Sequence, residues 1–217
     1  MTRSRFFYGA LIALALFVGA GLLIARLNFA PYGIPSGSMK PSLEINDYAL
    51  VSIGAELPER GEIVVFRHPG HGQTFVKRLI GLPGDTVQLL DGALIINGQE
   101  ASVEEVEPYV EVFQPQGRAR LYPRCANGPV VEQGECVKIQ MLETLPSGAS
   151  YRVLSIAKGA MFDTTPKFTV DDGHFFVLGD NRDNSADSRL PTAVGGVGQV
   201  PIENLIGKVV YVLEIGR

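Results

Sequence analysis

Thr86-Val87-Gln88-Leu89-Leu90-Asp91-Gly92-Ala93-Leu94-Ile95-Ile96-Asn97-Gly98 is the stretch on which the fold turns. Two short aliphatic runs are joined by Asp91-Gly92, and the second is closed by Asn97-Gly98. An Asp-Gly pair supplies the positive φ angles of a type I′ turn, whose twist suits two antiparallel strands. The spacing therefore predicts a β-hairpin. Working outward, Tyr48–Ile53, Glu62–Phe66 and Thr74–Ile80 lie upstream, with Phe175–Leu178 and Lys208–Leu213 downstream. All are short runs rich in apolar and β-branched residues, bounded by turn residues such as Pro83-Gly84, and read as strands. No long segment beyond residue 26 keeps a helical period. The expectation is a mostly β protein with an antiparallel β-sheet core.

Between Asp91 and Asp171 the alternation weakens, with more Pro and Glu. We read residues 91–170 as an inserted β-rich subdomain, and 27–90 with 171–217 as the core. Composition agrees: 25 Gly and 14 Pro against 19% charged residues favour a turn-rich β chain over a helical bundle. A net charge of −4 argues against a nucleic-acid binder, which usually shows a basic face. Two Cys and three His without ligand spacing give no ground to expect a metal, and nothing calls for a cofactor.

From Phe6 to Ala25 there are twenty residues without a charge. At about 1.5 Å per residue a helix of that length spans roughly 30 Å, the hydrocarbon thickness of a bilayer. Arg3 and Arg5 precede the run, so residues 1–26 read as a cytoplasmic N-terminus and one transmembrane helix, with the acidic body across the membrane. A cleaved leader is the competing reading. The run is longer than the usual 7–15 residues, and Leu23-Ile24-Ala25 is a poor cleavage site, which favours an uncleaved anchor. With the body outside the cytoplasm, Cys125 and Cys136 are expected to form a disulfide; in a reducing compartment they would be free thiols.

Three constellations carry chemistry. Pro35-Ser36-Gly37-Ser38-Met39-Lys40-Pro41 places two serines around a glycine, between prolines, so that backbone and hydroxyl can approach a ligand. In Thr74–Ile80, strand alternation puts Phe75, Lys77 and Leu79 on one face, and Val76, Arg78 and Ile80 on the other. A strand-end lysine can snorkel to water. Buried among such neighbours instead, Lys77 would have a lowered pKa and serve as a general base. Gly179-Asp180-Asn181-Arg182-Asp183-Asn184-Ser185-Ala186-Asp187-Ser188-Arg189 packs charges and hydroxyls behind an apolar strand. It reads as a solvated loop or as a pre-organised ion-pair network. A calcium loop fits less well, because the glycine at position six and the distal Glu are missing.

Together these blocks, in this order behind an anchor, resemble bacterial signal peptidase I (leader peptidase), a family of Ser-Lys dyad serine proteases. The resemblance covers roughly residues 30–90 and 171–217. It implies an endopeptidase that removes N-terminal signal peptides from exported preproteins. Ser38 matches the nucleophile and Lys77 the general base. Ser36 matches the hydroxyl that forms the oxyanion hole with the Ser38 amide, and Ser185 the serine that orients the lysine. Arg78, Asp180, Asp187 and Arg189 match the charged residues that brace the site. The implied setting is the bacterial inner membrane, single-pass, with the catalytic domain in the periplasm near the protein export machinery. Implied partners are preproteins and the phospholipid membrane. Members often carry a second transmembrane segment, and some carry aromatic residues after the last block. This chain has one apolar run, and Leu190-Pro191-Thr192 at that place.

Reach gives an argument independent of the family. The short tether from Arg26 to Ser38 extends at most about 40 Å, so Ser38 works close to the surface of the membrane that holds the chain.

Overall fold

The computed structural model describes Tyr8 and residues 28–54 and 56–215. The apolar run Phe6–Ala25, Tyr8 excepted, lies outside the described residues, and with it the anchor reading. Among the described residues no helix is long and apolar enough to cross a membrane.

The strands are β1 (Phe29–Gly33), β2 (Tyr48–Ile53), β3 (Ile63–Arg67), β4 (Thr74–Gly81), β5 (Thr86–Leu90), β6 (Ala93–Ile96), β7 (Gln99–Glu100) and β8 (Ser102–Glu105). They continue with β9 (Tyr109–Val112), β10 (Glu135–Thr144), β11 (Ser150–Ser155), β12 (Phe168–Thr169), β13 (His174–Leu178), β14 (Val200–Pro201) and β15 (Leu205–Leu213). Every strand-to-strand ladder is antiparallel, so the fold is mostly β, as expected. A seven-stranded sheet runs β1-β2-β15-β3-β4-β13-β14. A second sheet runs β11-β10-β8, with β9 also on β10, and a third runs β12-β5-β6-β7.

The hairpin that opened the sequence reading is β5–β6. Asp91 and Gly92 take φ of 49° and 86°, the double positive pair of a type I′ turn. Asn97 and Gly98 repeat the device between β6 and β7, at 53° and 79°. The third sheet thus takes β5 from one side of Leu90, and β6, β7 and β12 from the other.

Strand β4 lies between β3 and β13 and is buried on both faces. Leu79 joins Val64, Phe66, Phe175 and Val177 in one core cluster. Ile80 points into a second, with Val87, Leu94, Val153 and Phe176, which packs the other two sheets against the first. Val76 packs on a third, formed by Ile34, Met39, Leu43 and Ala49. From Lys77 to Gly81 the strand is fully buried, so its two charged residues, Lys77 and Arg78, stand inside. Cys125 and Cys136 are joined in a disulfide, as expected.

Candidate active site

Ser38 sits in a 3₁₀ turn, Gly37–Met39, between β1 and β2. Met39, fully buried in the third cluster, pins the turn to the core, while Ser36 enters it in extended conformation. The loop after β13 holds the turn from the other side. The Asn181 backbone N–H donates to the Ser38 carbonyl at 3.1 Å, and its side-chain amide donates to the Gly37 carbonyl at 2.9 Å. Gly179 makes this approach possible. A Cβ there would lie 2.1 Å from Ser185 Oγ and 2.7 Å from the Ser38 carbonyl oxygen, distances no side chain tolerates.

Lys77 Nζ donates to Ser38 Oγ at 2.7 Å and to its neighbour Val76's carbonyl at 3.1 Å. The ammonium lies 5.4 Å from the centre of the Phe75 ring. Burial brings the Lys77 pKa down from 10.5 to about 8, against the pull of Asp187 and Asp180, whose charges favour the ammonium. Ser36 Oγ stands 3.4 Å from Ser38 Oγ, close to the upper limit for a hydrogen bond. No hydrogen bond joins Ser185 to Lys77. Ser185 Oγ is buried without a partner of good geometry among the described residues, although it lies near enough to Asp187 to help keep that carboxylate ionised.

The four residues expected to brace the site, Arg78, Asp180, Asp187 and Arg189, are buried and paired. Arg78 grips Asp180 with two parallel bonds of 2.7 and 2.5 Å, the bidentate fork that makes Arg–carboxylate pairs directional. It also donates to the Gly61 carbonyl and to Ser42 Oγ, and its guanidinium lies 3.9 Å from the Tyr151 ring centre. Arg189 grips Asp187 at 2.9 Å from both Nε and Nη2. Burial alone would raise the Asp187 carboxyl; the Arg189 charge and hydrogen bonds outweigh it and hold it below the usual range. Asp187 in turn accepts the Gly179 N–H at 3.0 Å, which fixes the strand end beside Ser185.

Several members escaped the sequence reading. Asn181 stands inside the Gly179–Arg189 run, but its residue type and place there mark no role. Glu143 accepts from Arg182 at 2.6 and 3.0 Å and from the Tyr151 hydroxyl at 2.6 Å, tying β10 and β11 to the loop after β13. Nothing local marks Glu143 or Tyr151, because their partners are distant in sequence. A further buried group lies beside the turn: Lys40 pairs with Glu111 at 2.6 Å and Glu44 at 3.2 Å, and Lys138 pairs with Glu111 at 2.5 Å. Ser36, Ser38 and Lys77 open on a cleft of about 470 Å³, which Leu121, Tyr122 and Arg124 also line.

The signal peptidase family, peptidase S26, matches residues 5–214 of the sequence. The chain belongs to this family. It is accordingly a serine endopeptidase of the signal peptidase I kind. Among relatives, signal peptidase I of Rickettsia typhi is 33% identical over 222 residues, covering 88% of this chain and 74% of that protein. Signal peptidase I of Rickettsia bellii is 34% identical over 227 residues, covering 91% and 70%. The crystal structure of a signal peptidase I from Enterococcus faecalis is 26% identical, covering 71% of this chain and 98% of that one, with a TM-score of 0.37.

Proposed function

We propose that this chain is a membrane-bound endopeptidase that cleaves N-terminal signal peptides from exported preproteins through a Ser38–Lys77 dyad. The observation that carries the reading is the 2.7 Å contact between a buried, pKa-lowered Lys77 and Ser38 Oγ. Neutral Lys77 takes the Ser38 proton as Oγ attacks the scissile carbonyl carbon, giving a tetrahedral oxyanion. The Ser38 amide and the Ser36 hydroxyl donate to that oxyanion. Lys77 then returns the proton to the leaving amine, the C–N bond breaks, and an acyl ester remains on Ser38. Lys77 then deprotonates a water that attacks the ester carbonyl; the C–Oγ bond breaks, Lys77 returns the proton to Ser38 Oγ, and the new carboxyl group ionises into solvent.

Ser185 is assigned to orient Lys77, supported by its position against Gly179 and the Ser38 carbonyl. Arg78, Asp180, Asp187 and Arg189 fix the backbone that carries these groups. We further assign residues 1–26 to a cytoplasmic N-terminus and anchor in the bacterial inner membrane. The core 27–90 and 171–217, with the inserted subdomain 91–170, stands in the periplasm near the export machinery. A substrate whose apolar segment is still in the bilayer presents its cleavage site at that surface. Incubation of the full chain in detergent with a serine-acylating probe tests the nucleophile. One adduct is expected, absent in Ser38→Ala; labelling that survives Ser38→Ala would sink the assignment.

A further inference from the structure

The segment Gln116–Arg124 is exposed from Arg118 to Tyr122 and again at Arg124, and yet is fastened at both ends. Gln116 and Leu121 exchange backbone hydrogen bonds at 2.9 and 3.2 Å, closing a small hairpin. Its base is tied down by the Gln116 side chain, which accepts from Lys40 at 3.1 Å and donates to Glu111 at 2.7 Å. Gly117, at φ of 63°, passes so close to the Ser38 turn that a Cβ would lie 2.7 Å from the Pro35 carbonyl oxygen. At the far end Arg124 donates to the Asp183 carbonyl at 2.6 Å, in the loop that carries Asn181 and Ser185. Cys125, the next residue, is bonded to Cys136 on β10.

Exposed loops ordinarily move. Here the Gln116 side chain, the Arg124–Asp183 bond and the disulfide hold one in place along the cleft that contains Ser38 and Lys77. What it presents there is apolar: Leu121 is 69% exposed and Tyr122 44%, with the Tyr122 ring backed by Phe113 at 4.8 Å between centroids. Large apolar side chains kept in water by a braced segment mark a contact surface, and prior bracing lowers the ordering cost of binding.

We propose that Leu121–Arg124 is a substrate-binding segment of the cleft, held in register by the Cys125–Cys136 disulfide and the Arg124–Asp183 bond, which receives apolar side chains of the extended peptide flanking the scissile bond. The inference rests on the proteolytic function proposed above and adds a specificity element to the same site.

The test is steady-state cleavage, by the full chain in detergent, of a peptide spanning a signal-peptide cleavage site with an apolar residue on each side. Variants are Leu121→Ser with Tyr122→Ser, Arg124→Gln, Arg124→Lys, and Cys125→Ser with Cys136→Ser. Labelling of Ser38 by a small acylating probe is followed in parallel. The expected result is a KM raised about ten-fold in the Leu121/Tyr122 and Arg124→Gln variants, with kcat and probe labelling near wild type. Arg124→Lys should recover part of the loss. Val131→Ala, exposed inside the same disulfide loop, should change nothing. KM within about two-fold of wild type in every variant would overturn the inference, as would probe labelling that falls in step with KM. If the cysteine pair proves too unstable to purify, the Leu121/Tyr122 and Arg124 variants decide alone. Absence of cleavage by wild type would overturn the proteolytic reading itself, and this inference with it.

Discussion

At Lys77 a nitrogen that must be neutral to accept a proton is held where an ammonium is poorly solvated. Its pKa of about 8 places the working form within reach of ordinary pH. Because the proposed mechanism works through the neutral amine, kcat/KM should rise with pH through about 8 and then level off. A pH–rate profile of the full chain checks this, and a limb near 6.5 that survives Lys77→Ala would point to a histidine instead. The same shift carries a stability consequence. The folded pKa lies below the unfolded value of 10.5, so the penalty is fully present below about 8 and fades as pH rises toward 10.5. At neutral pH it amounts to about 3 kcal/mol, at about 1.4 kcal/mol per pKa unit. Lys77→Met should therefore abolish cleavage while raising Tm by several degrees at pH 7, with the gain shrinking above pH 9. A Tm that falls at neutral pH would contradict the burial argument. Ser36→Ala should lower kcat by about 10²–10³ with KM little changed, the signature of an oxyanion donor.

The loop after β13 is an element whose shape depends on one missing side chain. Gly179→Ala drives a methyl into Ser185 Oγ and the Ser38 carbonyl, so cleavage should drop by at least about a hundred-fold in a variant that still folds, as judged by circular dichroism. Behind the loop, Arg78→Met leaves Asp180 ionised and buried, and should cost about 3–5 kcal/mol in denaturant unfolding. The hairpin β5–β6 was legible because its signal is local, two aliphatic runs and an Asp-Gly turn. The strand bearing Lys77 was legible for the same reason, and its burial followed from apolar neighbours on both faces. Strand β10 was not. Lys138 and Glu143 occupy buried positions in Glu135–Thr144, and charge at a core position reads as solvent until its partners, Glu111 and Arg182, are known. The site divides likewise: the serines, Lys77 and the charged run stand in recognisable blocks, whereas Asn181, Glu143 and Tyr151 act through contacts no local pattern marks.

For the whole molecule, the three sheets meet around β4, and the region from β8 to β11 is tied to Lys40 beside the Ser38 turn through Glu111 and Gln116, and to the loop after β13 through Glu143. The disulfide, with its cysteines 11 positions apart, contributes about 3 kcal/mol in the chain-entropy model, so reduction should lower the unfolding free energy by that amount. An unfolding midpoint indifferent to reductant would count against it. With the proposed anchor at residues 1–26, the short tether from Arg26 would keep the cleft within about 40 Å of the membrane, where a preprotein's signal segment leaves the bilayer. The central claim is that Ser38 and Lys77 together cut such a preprotein. The most direct measurement is cleavage of a preprotein by the full chain in detergent, comparing wild type with Ser38→Ala, Lys77→Ala and the exposed-loop variant Ser147→Ala, and sequencing the product's N-terminus. A single new N-terminus from wild type and Ser147→Ala, and none from either dyad variant, is the predicted result; cleavage at the same bond by Ser38→Ala or Lys77→Ala would contradict it.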